Sequence, residues 1–279
     1  MKFLIIPDVH NRYEDAEAQI ERFPNRQVVF LGDYFDSFGD NPTVAGKTAA
    51  WLRYSIGKGR IHLMGNHDLP YRWPWQSCPG FTKEKCREVA KHMRPEDWQQ
   101  TRLALIFAGT KYQERVHRPL VLSHAGFTLA NLYGVADFRD VARGGRLEHM
   151  RKIPAYLHLD AIRDHSFKCA KAGDARVDHF WFNQGDRMGE LEPGGPFWID
   201  RHSLHSPLPG IDQIVGHTRV TTPQRHCDPH KAAPKSVVWF LDGYGNYAAL
   251  LDGSVAEHGG LTITPIHARG ERIGKPWQE

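Results

Sequence analysis

A chain of 279 residues is long enough for one large domain with a real core, or for two small ones. Its 41% hydrophobic and 24% charged content is ordinary for a soluble globular protein, and a net charge of +4 (36 basic, 32 acidic residues, no long Lys/Arg run) does not by itself argue for nucleic acid, though it suits an anionic substrate. No uncharged apolar run approaches a membrane span, and residues 3–6 are too short for a signal-peptide core.

Residues 2–7 read as a buried strand, a continuous apolar run ending at Pro7 and delivering Asp8-Val9-His10. Residues 13–22, rich in Glu and Ala, should be a helix that stops before Pro24. A second strand at 27–31 ends in Gly32-Asp33-Tyr34-Phe35-Asp36, and the loop 32–42 holds three Asp, two Gly and three aromatics. A helix at 43–56, capped by Thr43 and released at Gly57, leads to a third strand at 60–64, which ends in Gly65-Asn66-His67-Asp68. This βαβαβ order predicts parallel pairing in a doubly wound α/β core.

Residues 69–80 contain three Pro and two Trp and read as irregular, followed by a helix at 82–93. Strands are expected at 102–108, 111–116 and 120–122, the last ending in Ser123-His124-Ala125-Gly126. Residues 129–176 are mainly helical in pattern, residues 191–196 form a linker-like break, and 129–210 reads as an insertion or cap over the core. A strand at 211–215 ends in Gly216-His217-Thr218, a further one at 237–241 ends in Asp242-Gly243, and strands at 247–251 and 261–266 precede a polar tail of about a dozen residues. The four cysteines, Cys78, Cys86, Cys169 and Cys227, include no C-x-x-C pair and read as free thiols in a reducing compartment, with the cytoplasm as the default.

Asp8, His10, Asp33, Asn66, His124 and His217 each lie at the end of an apolar run or within two residues of it. In open α/β sheets that rim is where ligands and metals sit. Mixed carboxylate, imidazole and amide ligands suit manganese, iron or zinc rather than calcium. Two dications about 3.5–4 Å apart need a shared carboxylate to screen their repulsion, and Asp33 is the natural bridge. Taken singly, an Asp after a strand is usually a turn or a helix cap, and Gly-Asn is ordinary turn chemistry. Only the six ligands in order carry the argument. Three other patterns fail. Gly46-Lys47-Thr48 suggests a phosphate loop, but Asn41 stands where its first Gly belongs. His226-Cys227 with His230 has no matching C-x-x-C for a zinc corner. Tyr71, Trp73 and Trp75 fit a loop core better than a base-stacking platform.

Asp8-Val9-His10, Gly32-Asp33-x-x-Asp36, Gly65-Asn66-His67-Asp68, His124-Ala125-Gly126 and Gly216-His217-Thr218 together resemble the calcineurin-like metallophosphoesterases, over residues 8–217. The forms of the motifs resemble the phosphoprotein phosphatase branch, which includes bacterial protein phosphatases and symmetric dinucleoside tetraphosphatases. The resemblance implies a single domain over 1–279, with two packed mixed sheets flanked by helices and the helical cap at 129–210. It implies one metal on Asp8, His10 and Asp33 and a second on Asp33, Asn66, His124 and His217. Manganese comes first, with iron or zinc accepting the same ligands. It implies hydrolysis of a phosphate monoester by a water or hydroxide bridging the two ions. His67, hydrogen-bonded to Asp36, would be the general acid, and Asn66 would also face the substrate. Two positions depart from the pattern. Ser37 replaces the phosphate-holding Arg, and Asn11 replaces a Gly. The later aromatic segment Phe197-Trp198-Ile199-Asp200-Arg201 makes Arg201 the candidate phosphate ligand, ahead of Arg187 and Arg72.

The partner is then a phosphorylated substrate, either a phosphoprotein, a nucleotide or a small phosphomonoester, with no membrane, and the mild charge argues against nucleic acid. A symmetric dinucleoside polyphosphate hydrolase is the alternative. A catalytically inactive binding protein of the same fold is a rival of another class, set apart by metal content and turnover of an aryl phosphate.

Overall fold

The computed structural model describes residues 2–37, 39–107, 111–112, 115–116, 118–133, 152, 154–177, 179–185, 194–201, 204, 207–227, 236–242, 247–252, 262–267 and 277–278. Two compact units divide the chain. The first comprises Met1–Leu103, Arg219–Pro223 and Leu241–Glu279, and the second Ala104–Thr218 and Gln224–Phe240.

The first unit is built on a mixed sheet. β1 (Lys2–Ile6), β2 (Gln27–Phe30) and β3 (Ile61–His62) run parallel, as the βαβαβ order requires. β3 is shorter than its apolar run, because beyond it Leu63 makes a lone parallel bridge to Arg102. On the other edge of β1, β11 (Tyr247–Asp252), β12 (Thr262–His267) and β13 (Trp277–Gln278) follow in antiparallel order. The expected polar tail is therefore wrong at residues 277–278, where Trp277 pairs with Ile263. α1 (Tyr13–Arg22) and α2 (Pro42–Gly57) cover one sheet face, packing Ala16, Ala45, Ala49 and Leu52 with Leu4, Ile6, Val28 and Phe30 in one core. The strand residues are even-numbered because alternate side chains share a face. Each such full burial stabilises by roughly 1.5–3 kcal/mol.

The cap of α2 is Asn41, not Thr43. The Asn41 Oδ1 accepts the Val44 N–H at 3.1 Å, and Pro42 fills the first helical position. Pro lacks an N–H and its fixed φ suits that position, so the cap moves one residue ahead of it. The one-turn α3 (Leu69–Arg72) lies in the segment expected to be irregular. α4 (Lys83–Ala90) is capped by Thr82 and is shorter than its pattern, and α5 (Pro95–Gln99) was not expected.

His62 is a buried neutral base in this core. Its ring stacks on Phe30 at 4.7 Å, Nδ1 lies 3.0 Å from the Tyr34 hydroxyl and Nε2 3.0 Å from the Ser55 hydroxyl. Tyr34 donates its own proton to the Leu63 carbonyl, so Nδ1 carries the hydrogen and Nε2 accepts from Ser55. Burial, then the Arg60 charge, lowers the His62 pKa to about 3. The unfolded chain titrates near 6.5, so between pH 6.5 and 3 the unfolded state binds the extra proton and folding loses stability as pH falls. We expect denaturant unfolding of the chelator-treated protein to lose up to about 1.4 kcal/mol per pH unit through this group below pH 6. His62→Gln should lack that component, and an unchanged pH slope in the variant would contradict the assignment.

The second unit holds a mixed sheet in the order β4 (Ala104–Phe107), β7 (Leu120–Ser123), β8 (Asp212–Val215), β10 (Val237–Phe240), β9 (Gln224–Cys227). β7, β8 and β10 are parallel, while β4 and β9 pair antiparallel at the two edges. Where one strand was expected over 111–116, the described residues are two short strands, β5 (Lys111–Tyr112) and β6 (Arg115–Val116), paired antiparallel. α6 (Leu129–Tyr133) and α7 (Ala155–Asp174) account for the described part of the helical stretch. β9 was not expected. It places His226 and Cys227 on opposite faces of a strand, which removes the zinc corner; His230 lies outside the described residues. All four cysteines are free thiols.

Candidate active site

In the first unit the loops after β1, β2 and β3 are fastened to one another through backbone amides. The Asp33 carbonyl accepts the N–H groups of Val9 at 3.0 Å and His10 at 2.7 Å, and the Tyr34 carbonyl accepts that of Asn11 at 2.7 Å. The buried Asp68 carboxylate accepts three more, from Asp33 (2.9 Å), Tyr34 (2.8 Å) and Gly65 (2.8 Å). The approach is close enough to demand glycine. A Cβ on Gly65 would lie 2.1 Å from the Asp33 Oδ1, and one on Gly32, whose φ is +113°, would lie 2.3 Å from the Gly65 nitrogen. The same crowding holds His10, Asn11, Asp33 and Asp36 at positive φ, between 43° and 64°. Left-handed backbone at non-glycine residues is strained and gathers at functional sites.

These loops bring Asp8, His10 and Asp33 together, all buried, with one ligand atom of each within 4.8 Å of the others. The His10 Nδ1 lies 2.9 Å from the Phe35 carbonyl, which can only accept, so Nδ1 carries a hydrogen and Nε2 is the nitrogen that could ligate a cation. That Nε2 lies 3.7 Å from the Asp33 Oδ2. The negative field is strong. Burial, then the Asp33 charge, pushes the Asp68 carboxyl well above the usual range, and burial followed by Asp68 and Asp33 pushes the Tyr34 phenol up. Clustered buried carboxylates with an imidazole nitrogen turned toward them are a donor set that suits a divalent cation.

Asn66 and His67 follow Gly65 in a single 3-10 turn. The Asn66 amide nitrogen points at the Cys78 sulfur, 3.5 Å away. The His67 N–H donates to the Asp33 Oδ1 at 2.8 Å, and its Nδ1 lies 3.4 Å from the Asp36 Oδ2. Burial disfavours the His67 imidazolium, but the Asp33 carboxylate and then the Asp36 bond outweigh it, and the pKa is pushed up to about 11.

The second unit holds the other two imidazoles. β7 and β8 are adjacent and parallel, so their C-terminal ends emerge together, and the Gly216 N–H donates to the His124 carbonyl at 2.8 Å. The His124 Nε2 and His217 Nδ1 face each other at 3.0 Å, one donating to the other, and His217 has φ 60°. Arg201 is in the same unit. Its N–H donates to the Thr218 hydroxyl at 3.0 Å and its guanidinium to the Gln224 side chain at 2.6 Å. Arg72 packs on Trp73 at 4.4 Å and donates to the Trp98 carbonyl at 3.3 Å. Arg187 lies outside the described residues. Tyr71 and Trp73 are buried, as a loop core requires.

Sequence reasoning did not assign Asp68, Tyr71 or Lys85. Asp68 closes a motif already noted, so its place was a usable signal. The Tyr71 hydroxyl and the Lys85 ammonium both reach Asp36.

Among solved structures, the chain is similar to a cold-active protein-tyrosine phosphatase of a psychrophilic Shewanella species, with 14% identity over 98% of this chain and 79% of that one and a TM-score of 0.47. It is similar to a metallophosphoesterase from Sphaerobacter thermophilus (13% identity, 98% and 89% coverage, TM-score 0.41). A protein serine/threonine phosphatase from Saccharomyces cerevisiae also matches (13% identity, 99% and 81% coverage, TM-score 0.38). No curated protein matches the chain. The family model of calcineurin-like phosphoesterases matches residues 1–220, more than half of the sequence, so the chain belongs to the calcineurin-like phosphoesterase family.

Proposed function

We propose that this phosphoesterase hydrolyses a phosphate monoester with the help of two divalent metal ions. The observation that carries the reading is the convergence of the buried Asp8, His10 and Asp33, the last two at strained backbone positions. In this reading one ion is held by Asp8, His10 and Asp33, and the other by Asp33, Asn66, His124 and His217. Manganese is the first choice, with iron or zinc suiting the same donors. When bound, the ions supply charge neutralisation of the phosphoryl oxygens and an acidified water. His67 donates a proton to the leaving oxygen from Nε2, while Asp36 holds its Nδ1. Once the Asp33 charge is shared with cations, Asp36 is the carboxylate left to favour the protonated ring. Arg201 and Asn66 are read as the phosphate contacts. We read residues 1–279 as one catalytic domain with 129–210 as its cap, working in the cytoplasm on a phosphoprotein, a nucleotide or a small phosphomonoester. No helix among the described residues is long and apolar enough to cross a membrane.

The monoester preference rests on Gly216-His217-Thr218-Arg219. Many phosphodiesterases of the superfamily carry a second His two residues after the first, and Arg219 at that position leaves the first ion one protein ligand fewer. The Arg219 side chain is exposed, so its charge is not part of this argument. A dianionic monoester gains more than a diester from an open cationic position. We expect kcat/KM for an aryl phosphate monoester at least ~10-fold above that for the diester with the same leaving group, about 1.4 kcal/mol of transition-state binding. Assay of both with one metal checks it, and a diester preference would overturn the reading.

A further inference from the structure

The two oxygens of the buried Asp36 carboxylate are divided between different partners. Oδ1 accepts from the Tyr71 hydroxyl at 2.6 Å and from the Lys85 ammonium at 3.2 Å. Oδ2 faces the His67 Nδ1 at 3.4 Å. Lys85 is itself buried and also donates to Asp40 and, at 2.7 Å, to the Gly80 carbonyl. An ammonium has three donors, and all three are engaged, so Lys85 is not a stand-in for the phosphate-holding Arg replaced by Ser37. Asp40 is fixed from the other side by the Asn11 amide at 2.8 Å, and Asn11 accepts from Thr48 at 2.8 Å.

A carboxylate's terminal torsion is broad, so an Asp held only by a histidine can turn either oxygen toward it or swing away. We propose that Tyr71 and Lys85 are positioning residues for proton donation: by occupying Oδ1 they lock the Asp36 carboxylate so that Oδ2 alone takes the His67 Nδ1–H and Nε2 is left for the leaving oxygen. This rests on His67 being the general acid. A group that acts only on proton donation matters most when the leaving group is a poor one, because an acidic leaving group departs without a proton. A network that merely props up the loop would instead affect all substrates alike.

The test compares an alkyl phosphate with p-nitrophenyl phosphate in the metal-loaded full chain. Tyr71→Phe, which deletes only the hydroxyl, should lower kcat on the alkyl ester roughly 10-fold, with kcat on the nitrophenyl ester, KM and metal content close to wild type. Lys85→Met should lose more in the same pattern. Should it fail to fold, because Asp36 and Asp40 lose their cation, Tyr71→Phe alone decides. A loss equal on both esters, a change confined to KM, or wild-type rates on both would overturn the proposal. His67→Asn is run beside it. If it shows the leaving-group dependence and Tyr71→Phe does not, the positioning role falls and the acid stands. If it loses equally on both esters, the acid assignment falls and takes the positioning role with it.

Discussion

Asp33→Asn is expected to strip the bound metal and abolish turnover together, lowering kcat/KM by at least roughly 10³-fold. Asp33 is held at three points. Its carbonyl anchors the loop after β1, its N–H rests on Asp68, and Oδ1 takes the His67 N–H. Asn is nearly isosteric, tolerates a φ of 51° and still offers an Oδ1, so the loops should keep their shape. What it removes is a charge. In the metal-free protein that charge repels the buried Asp68, so the chelated variant should melt no lower than wild type. Loss of metal without loss of stability separates a ligand role from a folding role. Metal content by mass spectrometry, melting of the chelated proteins and steady-state kinetics are the measurements. Two retained metals with near-normal turnover would remove Asp33 from the centre.

His67→Asn should do the reverse, retaining metal while kcat falls by ~10²–10⁴. His67 meets the proposed metal set through its backbone N–H to Asp33, which any side chain preserves, and through an edge-to-face approach of its ring to His10, 5.1 Å between centroids, which ligates nothing. The hydrogen bonds of its imidazole go to Asp36 and Cys78 instead. The loss should shrink as the leaving group becomes more acidic. Rates for a series of phosphate esters, plotted against leaving-group pKa, measure this. A constant deficit across the series would take proton donation away from His67.

Much of the first unit was legible because its parallel strands are buried on both faces and read as unbroken apolar runs, each ending in polar residues that cannot continue the strand. α1 begins and ends where its Glu- and Ala-rich stretch does. The proposed ligands in each unit were legible for the same reason, since they stand where strands stop. β9 was not, because an edge strand reading Gln-Arg-His-Cys is only partly buried and shows no apolar alternation. The Trp277–Gln278 strand is two residues long and owes its existence to β12. Tyr71 and Lys85 were hidden for a different reason. They reach Asp36 across 35 and 49 residues of sequence, and no periodicity marks a contact that only the tertiary fold creates.

The Asp68 carboxylate links the amide nitrogens of Asp33 and Tyr34 in one loop to that of Gly65 in another. Opening either loop exposes a buried, unsatisfied carboxylate, so neither can fray without loosening the other. Slow fluctuations of the first unit should therefore present its proposed ligands either all in place or all dispersed, with few half-formed states. Partly built sites are the ones that capture the wrong cation, and a single cooperative opening keeps them scarce.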